Sequence, residues 1–106
     1  MDNLLVGATV KALCSVHDYW QLITDQPIVT INNPFQVIYN DEIVTCDRYS
    51  IVQGQKIMDE KYVENGYYEI TLTSNISIKI SLSPEDYTCP EGVYIYNSNE
   101  GLFIVF

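Results

Sequence analysis

The sequence predicts an all-β, antiparallel fold, and three observations carry that prediction. The chain of 106 residues holds nine tyrosines and many isoleucines and valines, which favour strands over helices. Apolar and polar residues alternate through segment 66–82 with the period of two that a half-buried strand requires. A weak internal repeat relates the first half of the chain to the second. We therefore expect one β domain spanning 1–106, an antiparallel meander of about eight strands that forms either a half-open barrel or two packed sheets.

Segment 66–82 is the clearest element, and we interpret it as a β-hairpin. Its two apolar rows must face one core, which fixes the register of the strands. The loop is then 73–75, with Asn75 in the left-handed conformation that a three-residue hairpin loop uses. The expected cross-strand pairs are Tyr68 with Ile80, Ile70 with Ile78, Leu72 with Ile76, and Glu69 with Lys79.

The internal repeat predicts how each half of the chain is built. It aligns Gly7 with Gly54, and each copy reads as three strands closed by a proline, Pro34 or Pro84. The first strand of the first copy is expected to place on one face Val10, Ala12, Cys14 and Val16. The next two strands are expected to pair Trp20 with Ile31, Leu22 with Val29 and, on the opposite face, Ile23 with Ile28.

The other segments are assigned from their turn residues and from the repeat. Segment 56–64 has a composition that favours helix, but the repeat favours a strand, and we choose the strand. The remaining expected elements are a hairpin of 35–39 and 43–46 around Asn40-Asp41, a loop with one helical turn over 47–54, an acidic loop with two prolines over 83–91, and a last hairpin of 93–96 and 102–106 around 97–101.

The charge of the chain restricts its partners. Fourteen acidic residues against five basic ones give a net charge of −9, which repels nucleic acids and anionic membranes and attracts basic proteins. The first residues lack the positive region of a signal peptide, and no apolar run approaches the ~20 residues of a membrane span. Three cysteines without a short paired spacing (Cys14, Cys46 and Cys89) indicate reduced thiols that serve as small core residues. We expect a cytoplasmic protein.

Residues that could carry a reaction are scarce in this sequence. His17 is the only histidine, and Cys14, three residues before it, points to the opposite face of a strand. Neither clustered metal ligands nor a glycine-rich phosphate loop is present. The sequence therefore predicts no enzyme, no metal and no cofactor.

Acidic and tyrosine residues share two predicted loops, and this combination suits the binding of a basic protein. Carboxylates steer a basic partner, while tyrosine rings supply contact area. The candidate partner-binding residues are Asp41, Glu42, Asp47 and Tyr49 in the central region and Glu85, Asp86, Tyr87 and Glu91 in the late loop.

Four short stretches carry a resemblance to a known group of proteins. They are Leu5-Val6-Gly7, Asp18-Tyr19-Trp20-Gln21-Leu22, Ile31-Asn32-Asn33-Pro34-Phe35, and Ser83-Pro84-Glu85-Asp86-Tyr87 followed by Pro90-Glu91. Together they resemble small bacterial immunity proteins of contact-dependent growth inhibition and related polymorphic-toxin systems. The resemblance implies a cytoplasmic inhibitor that binds a cognate toxin domain, often a nuclease, and masks its active site. No binding residues carry over, because such interfaces differ from pair to pair.

Two other functions remain compatible with the sequence. One is a small-ligand-binding β-barrel with a pocket lined by Trp20, Tyr68 and Tyr94. The other is a structural subunit of a larger assembly.

Overall fold

The computed structural model describes residues 5–97 and 102–106, with residues 102 and 103 described in their backbone only. Within these residues, two antiparallel sheets of five strands pack against each other without closing into a barrel. The strands are β1 (Val10–Val16), β2 (Tyr19–Thr24), β3 (Ile28–Ile31), β4 (Phe35–Tyr39), β5 (Glu42–Val44), β6 (Ile57–Val63), β7 (Tyr67–Leu72), β8 (Ile76–Ser81), β9 (Val93–Asn97) and β10 (Leu102–Val105). Sheet 1 has the order β1-β2-β3-β9-β10, and sheet 2 has the order β5-β4-β8-β7-β6.

Two packed antiparallel sheets were one of the predicted architectures, and the structure confirms that one. The described residues form ten strands, more than the predicted count of about eight, and both short hairpins predicted from the sequence, β4–β5 and β9–β10, are present. Most neighbouring strands are consecutive in sequence, as expected, and the exceptions are that β3 pairs with β9 and β4 pairs with β8. The turn expected at 97–101 lies, apart from Asn97, outside the described residues.

The β7–β8 hairpin has the predicted register. All four expected pairs are present, including Glu69 opposite Lys79 on the outer face. Ile70 and Ile78 are fully buried, because β8 is the central strand of sheet 2 and its inner side chains face sheet 1. The loop uses two left-handed residues, Ser74 and Asn75, each at φ 62°. Asn75 was predicted to be left-handed, and Ser74 was not.

The internal repeat is visible in the structure, and the two halves of the chain exchange their last hairpins between the sheets. Three strands of each half, β1-β2-β3 or β6-β7-β8, form a meander in one sheet, and the last two strands of that half belong to the other sheet. Gly7 and Gly54 both adopt positive φ, +93° and +83°, which glycine tolerates best. Their hydrogen bonds are reciprocal, because the Gly7 N–H donates to the Ile57 carbonyl and the Gly54 N–H donates to the Val10 carbonyl. The two halves are therefore related by an approximate two-fold axis.

A β-bulge in β1 overturns one sequence prediction. The bulge lies between Val10 and Ala12, and its extra residue reverses the alternation of side chains. Val10 therefore faces the core, while Ala12 and Cys14 lie on the outer face of sheet 1 beside Ile23 and Gln21. The expectation that Val10, Ala12, Cys14 and Val16 share one face is wrong for this reason. The structure has a bulge at the equivalent place in β6, between Ile57 and Asp59.

Segment 56–64 forms the strand β6, as predicted, and its Glu60 ties the start of the described chain to sheet 2. The Glu60 carboxylate accepts a hydrogen bond from the Tyr68 hydroxyl and another from the Leu5 backbone N–H, at 2.8 Å. Burial, with a contribution from this hydrogen bond, raises the pKa of Tyr68. A fully buried tyrosine is thus satisfied by a partly buried carboxylate.

The three cysteines are unpaired, as expected, but they do not belong to the core. Cys14 and Cys89 are half-buried, and Cys46 is exposed. Cys14 is displaced by the bulge, while Cys46 begins a 3₁₀ helix at Cys46–Val52 on the surface.

Candidate functional site

One open cleft of about 820 Å³ stands out on the described surface, and we call it the Trp20 cleft. It lies where the chain crosses from sheet 1 to sheet 2, between β3 and β4. Its lining consists of Asp18, Trp20, Ile31, Asn32, Asn33, Pro34, Phe35, Tyr49, Glu85, Asp86 and Thr88. The cleft thus joins parts of the chain that are far apart in sequence.

Three aromatic rings form the apolar part of the Trp20 cleft. The Trp20 ring lies edge-on to Phe35 and Tyr49, with centroids 5.6 Å and 5.2 Å away. Phe35 and Tyr49 are themselves 5.8 Å apart, so each ring contacts the other two. All three side chains are half-buried, and one part of each remains accessible to a partner.

Each ring is held by a different element. Trp20 pairs with Ile31 at the start of β2 and therefore has the inward orientation predicted from the sequence. Phe35 begins β4 immediately after the short linker 32–34. Tyr49 projects from the 3₁₀ helix at Cys46–Val52, which packs beside β1. Burial is the main cause that raises the pKa of the Tyr49 hydroxyl, so it is neutral at physiological pH.

Every charged residue in the lining is an acid. Asp18 comes from the β1–β2 turn, and Glu85 and Asp86 come from a 3₁₀ helix at Pro84–Asp86. Asp18 and Glu85 are exposed, while Asp86 is half-buried and accepts a hydrogen bond from the Ser81 hydroxyl. An aromatic surface bordered by three carboxylates favours a cation that also has an apolar or planar part.

Asn33 adds an unsatisfied polar group to the wall of the Trp20 cleft. Its side chain is only 3% exposed, and its Nδ2 donates to the Ser81 carbonyl at 2.9 Å. Its Oδ1 is buried and has no hydrogen-bond partner among residues 5–97 and 102–106. An unpaired buried carbonyl costs about 1–3 kcal/mol, so a donor that pairs with Oδ1 after the Asn33 side chain turns it toward the cleft would be stabilising.

The internal two-fold relation supplies a comparison within the same molecule. Trp20 opposite Ile31 in one half corresponds to Tyr68 opposite Ile80 in the other. Tyr68 lies 4.9 Å from the Phe106 ring, much as Trp20 lies 5.2 Å from Tyr49. The Tyr68 side is closed, however, because Tyr68 is fully buried. Of these two equivalent aromatic positions, the Trp20 position opens to solvent and is bordered by exposed carboxylates, whereas the one carboxylate hydrogen-bonded to Tyr68, that of Glu60, is partly buried.

Three of the eight residues proposed from the sequence meet in the Trp20 cleft. Tyr49 comes from the central region, and Glu85 and Asp86 come from the late loop, so the structure brings together the two regions that the sequence singled out. Glu91 is exposed. It lies near the cleft, since its backbone carbonyl accepts a hydrogen bond from the side chain of Asn32, a lining residue.

Two further candidates lie beside the cleft. Asp47 is exposed and lines a smaller depression that shares Trp20 and Tyr49 with the main one. A hydrogen bond from the Thr45 hydroxyl holds the pKa of Asp47 below its usual value. Tyr87 is half-buried, and burial raises the pKa of its hydroxyl. Its ring lies so close to Gly92 that a side chain at that position would contact it. Tyr87 therefore packs into the molecule instead of presenting a free ring.

Asp41 and Glu42 lie away from the other six candidate partner-binding residues. They lie at the β4–β5 turn, whose Asn40 exchanges hydrogen bonds with Asn75 of the β7–β8 loop. This turn is at the opposite end of β4 from Phe35. At about 3.4 Å per residue, the length of β4 separates these two acids from the Trp20 cleft.

Four residues of the site were not among the predicted partner-binding residues: Asp18, Trp20, Asn33 and Phe35, of which Trp20 had been assigned only to the alternative ligand pocket. Trp20 was predicted to face inward, and it does, but at the edge of the sandwich an inward ring can remain half-exposed. A usable signal was present, because the chain has a single tryptophan next to an acidic turn and just before a polar Asn-Asn-Pro linker.

The structure also tests the predicted ligand pocket of Trp20, Tyr68 and Tyr94, and that prediction is wrong. Tyr68 is fully buried, Trp20 lines the open cleft, and Tyr94 pairs with Thr30 between the buried residues Val93 and Ile95, on the outer face of sheet 1. The three rings do not line one cavity.

Comparison of the chain with protein-family models, curated proteins and solved structures finds no match. Within the described part of the chain, His, Cys, Asp and Glu side chains form no group of three that could hold a metal ion. No helix among these residues is long and apolar enough to cross a membrane.

Proposed function

We propose that this chain is an immunity protein, a non-enzymatic cytoplasmic inhibitor that binds a cognate basic toxin domain of the nuclease type. The Trp20 cleft and the acids around it form the binding surface in this proposal. The observation that carries it is the Trp20 cleft itself, an open aromatic cluster in which every charged lining residue is an acid. The resemblance of the sequence to immunity proteins supports the same conclusion.

The energetic argument begins with the net charge of −9. A nuclease must present a positive surface to its phosphate substrate, and an acidic inhibitor can place carboxylates where phosphates would lie. Asp18 and Glu85 are exposed at the border of the cleft, so they act mainly on the rate of encounter. Trp20 and Tyr49 supply the contact area that slows dissociation, because aromatic residues dominate the energy of many interfaces.

The proposal predicts that a toxin domain is encoded next to this chain, and it is tested by co-expression with that domain. The wild-type chain should protect cells from that domain. The double variant Asp18→Lys, Glu85→Lys should reduce protection at least tenfold, since each change replaces an attraction by a repulsion. Asp86 is left intact because its hydrogen bond with Ser81 orders the loop.

The matched control is Asp41→Lys, Glu42→Lys, which changes the net charge equally at the far end of β4. This variant should still protect. Absence of protection by the wild-type chain, or equal loss in both double variants, would contradict the proposed function or its placement at the Trp20 cleft.

A further inference from the structure

We propose that the Trp20 cleft binds an arginine side chain of its protein partner, with the guanidinium stacked on the aromatic rings and paired with the carboxylates. This inference rests on the proposed function and specifies the chemical group that the cleft recognises. Arginine combines a planar cation with donors arranged in a fork, whereas lysine carries a compact point charge.

The aromatic part of the cleft matches the flat face of a guanidinium. Trp20 is the best cation–π partner among the side chains, and it is half-exposed here. Its edge-on contacts with Phe35 and Tyr49 fix the ring, so little side-chain freedom is lost when a ligand stacks on it. The same rings give an apolar lining to the methylene groups of the arginine.

The polar part of the cleft matches the edge of a guanidinium. Glu85 and Asp18 are exposed carboxylates, and the structure gives neither of them a hydrogen bond or ion pair within the described chain. Asn33 contributes the second, independent observation, a carbonyl oxygen in a side chain that is 3% exposed and has no partner among the described residues. Five N–H donors on one planar group can serve the carboxylates and, once the Asn33 side chain turns Oδ1 toward the cleft, this amide.

The lysine and arginine side chains of the protein, all of which lie among the described residues, do not line the cleft. Lys79, which lies over the Tyr67 ring at 4.2 Å, lines a neighbouring depression that shares Pro34 and Phe35 with the cleft. The acids around Trp20 therefore remain available to a cation from outside.

The experiment uses the single tryptophan as its reporter, since Trp20 fluorescence responds to occupancy of this cleft and no other tryptophan contributes. The intact chain is titrated with acetyl-Gly-Arg-Gly-amide at low ionic strength. Peptides with lysine or citrulline in place of arginine serve as comparisons, because citrulline keeps the planar shape and loses the charge. We expect a saturable change with the arginine peptide, weaker binding of the lysine peptide, and none of the citrulline peptide.

Variants of the chain locate the binding site. Glu85→Gln should weaken binding of the arginine peptide by about fivefold, the upper range for one exposed ion pair. Glu42→Gln removes the same charge at the far end of β4 and should leave binding unchanged. A thermal melt of each variant confirms that the fold is retained. Equal binding of the three peptides, no saturable change with arginine, or equal effects of the two variants overturns the proposal.

Failure of this inference is distinguishable from failure of the proposed function. If the arginine peptide does not bind while Asp18→Lys, Glu85→Lys still abolishes protection in co-expression, the protein surface is right and the recognised group is wrong. If the peptide binds and the wild-type chain gives no protection, the chemistry of the cleft stands and the proposed partner does not.

Discussion

Trp20 and Tyr68 occupy equivalent positions in the two halves of the chain but contribute differently to the molecule. Tyr68 is fully buried, and its hydroxyl donates to Glu60, which also accepts the Leu5 N–H. Trp20 keeps one side open beside carboxylates. At this scale the distinction between a structural and an exposed aromatic ring depends on the neighbours of each ring, which lie far away in sequence.

The buried hydroxyl of Tyr68 predicts sensitivity to alkali. Its pKa is raised in the folded protein, while in the unfolded chain it titrates near pH 10. Above about pH 10 the unfolded state loses a proton that the folded state retains, so this contribution to stability is present below pH 10 and is lost as the pH rises. The free energy of unfolding, measured by urea denaturation, should therefore fall steeply above pH 10.

The variant Tyr68→Phe separates this effect from general alkaline denaturation. It should lower stability at pH 7 by about 1–3 kcal/mol, because a charged acceptor loses its donor, yet it should show a shallower decline above pH 10. An unchanged slope in the variant would show that other groups cause the alkaline loss.

The register of the β7–β8 hairpin could be predicted from its sequence alone. Its alternation and its single opposite-charge pair specify one register, and the structure has that register. The bulge in β1 could not be predicted in the same way, because the composition of the segment does not reveal it. Its one extra residue puts the side chains before it on the opposite face from the one that simple alternation predicts. The pairing of β3 with β9 depends on long-range contacts and was also beyond reach.

The central position of β8 predicts a large cost for a cavity at Ile78. This side chain is fully buried and lies between Val37 of β4 and Ile70 of β7. Ile78→Ala should destabilise the protein by about 2–4 kcal/mol in chemical denaturation. Ser77→Ala, one residue away on the outer face, should change stability by less than about 0.5 kcal/mol. Similar losses for both variants would contradict the assigned faces of the strand.

The β7–β8 loop offers a stabilising substitution. Ser74 has φ 62°, a conformation that L-residues other than Asn and Asp rarely adopt. Ser74→Gly should relieve this strain and raise the melting temperature, by an amount that corresponds to about 0.5–1 kcal/mol. Ser77→Gly, in the extended strand, should lower it. A decrease for Ser74→Gly would show that the loop is not left-handed at this position.

At the scale of the whole molecule, the exchange of hairpins between the two halves creates the candidate site. The chain must cross between sheets after β3 and again after β8. The first crossing is the short linker 32–34, and the second is the long acidic loop that brings Glu85 and Asp86 to the first. The sequence predicted the acidic loop and Tyr49 as candidates, but it could not show that they meet at Trp20, since this depends on the crossing.

The unpaired thiols predict how the whole chain responds to redox conditions. No disulfide joins Cys14, Cys46 or Cys89, so no covalent link constrains the unfolded state. Adding a reductant should leave the melting temperature unchanged in differential scanning calorimetry. A clear decrease on reduction would reveal a bridge between chains or within one.

The most direct test of the account is the association rate of the purified cognate domain with the wild-type chain, Glu85→Lys and Glu42→Lys, measured by surface plasmon resonance at low and at high salt. Both variants change the net charge equally, but Glu85 lines the cleft with Phe35 at the start of β4, whereas Glu42 follows the turn at its far end, and the length of β4 exceeds the ~10 Å Debye length at 0.1 M salt. The account predicts a severalfold slower association for Glu85→Lys at low salt, a much smaller effect of Glu42→Lys, and convergence of all three rates as salt rises. Equal effects of the two variants, or a larger effect of Glu42→Lys, would contradict binding at the Trp20 cleft.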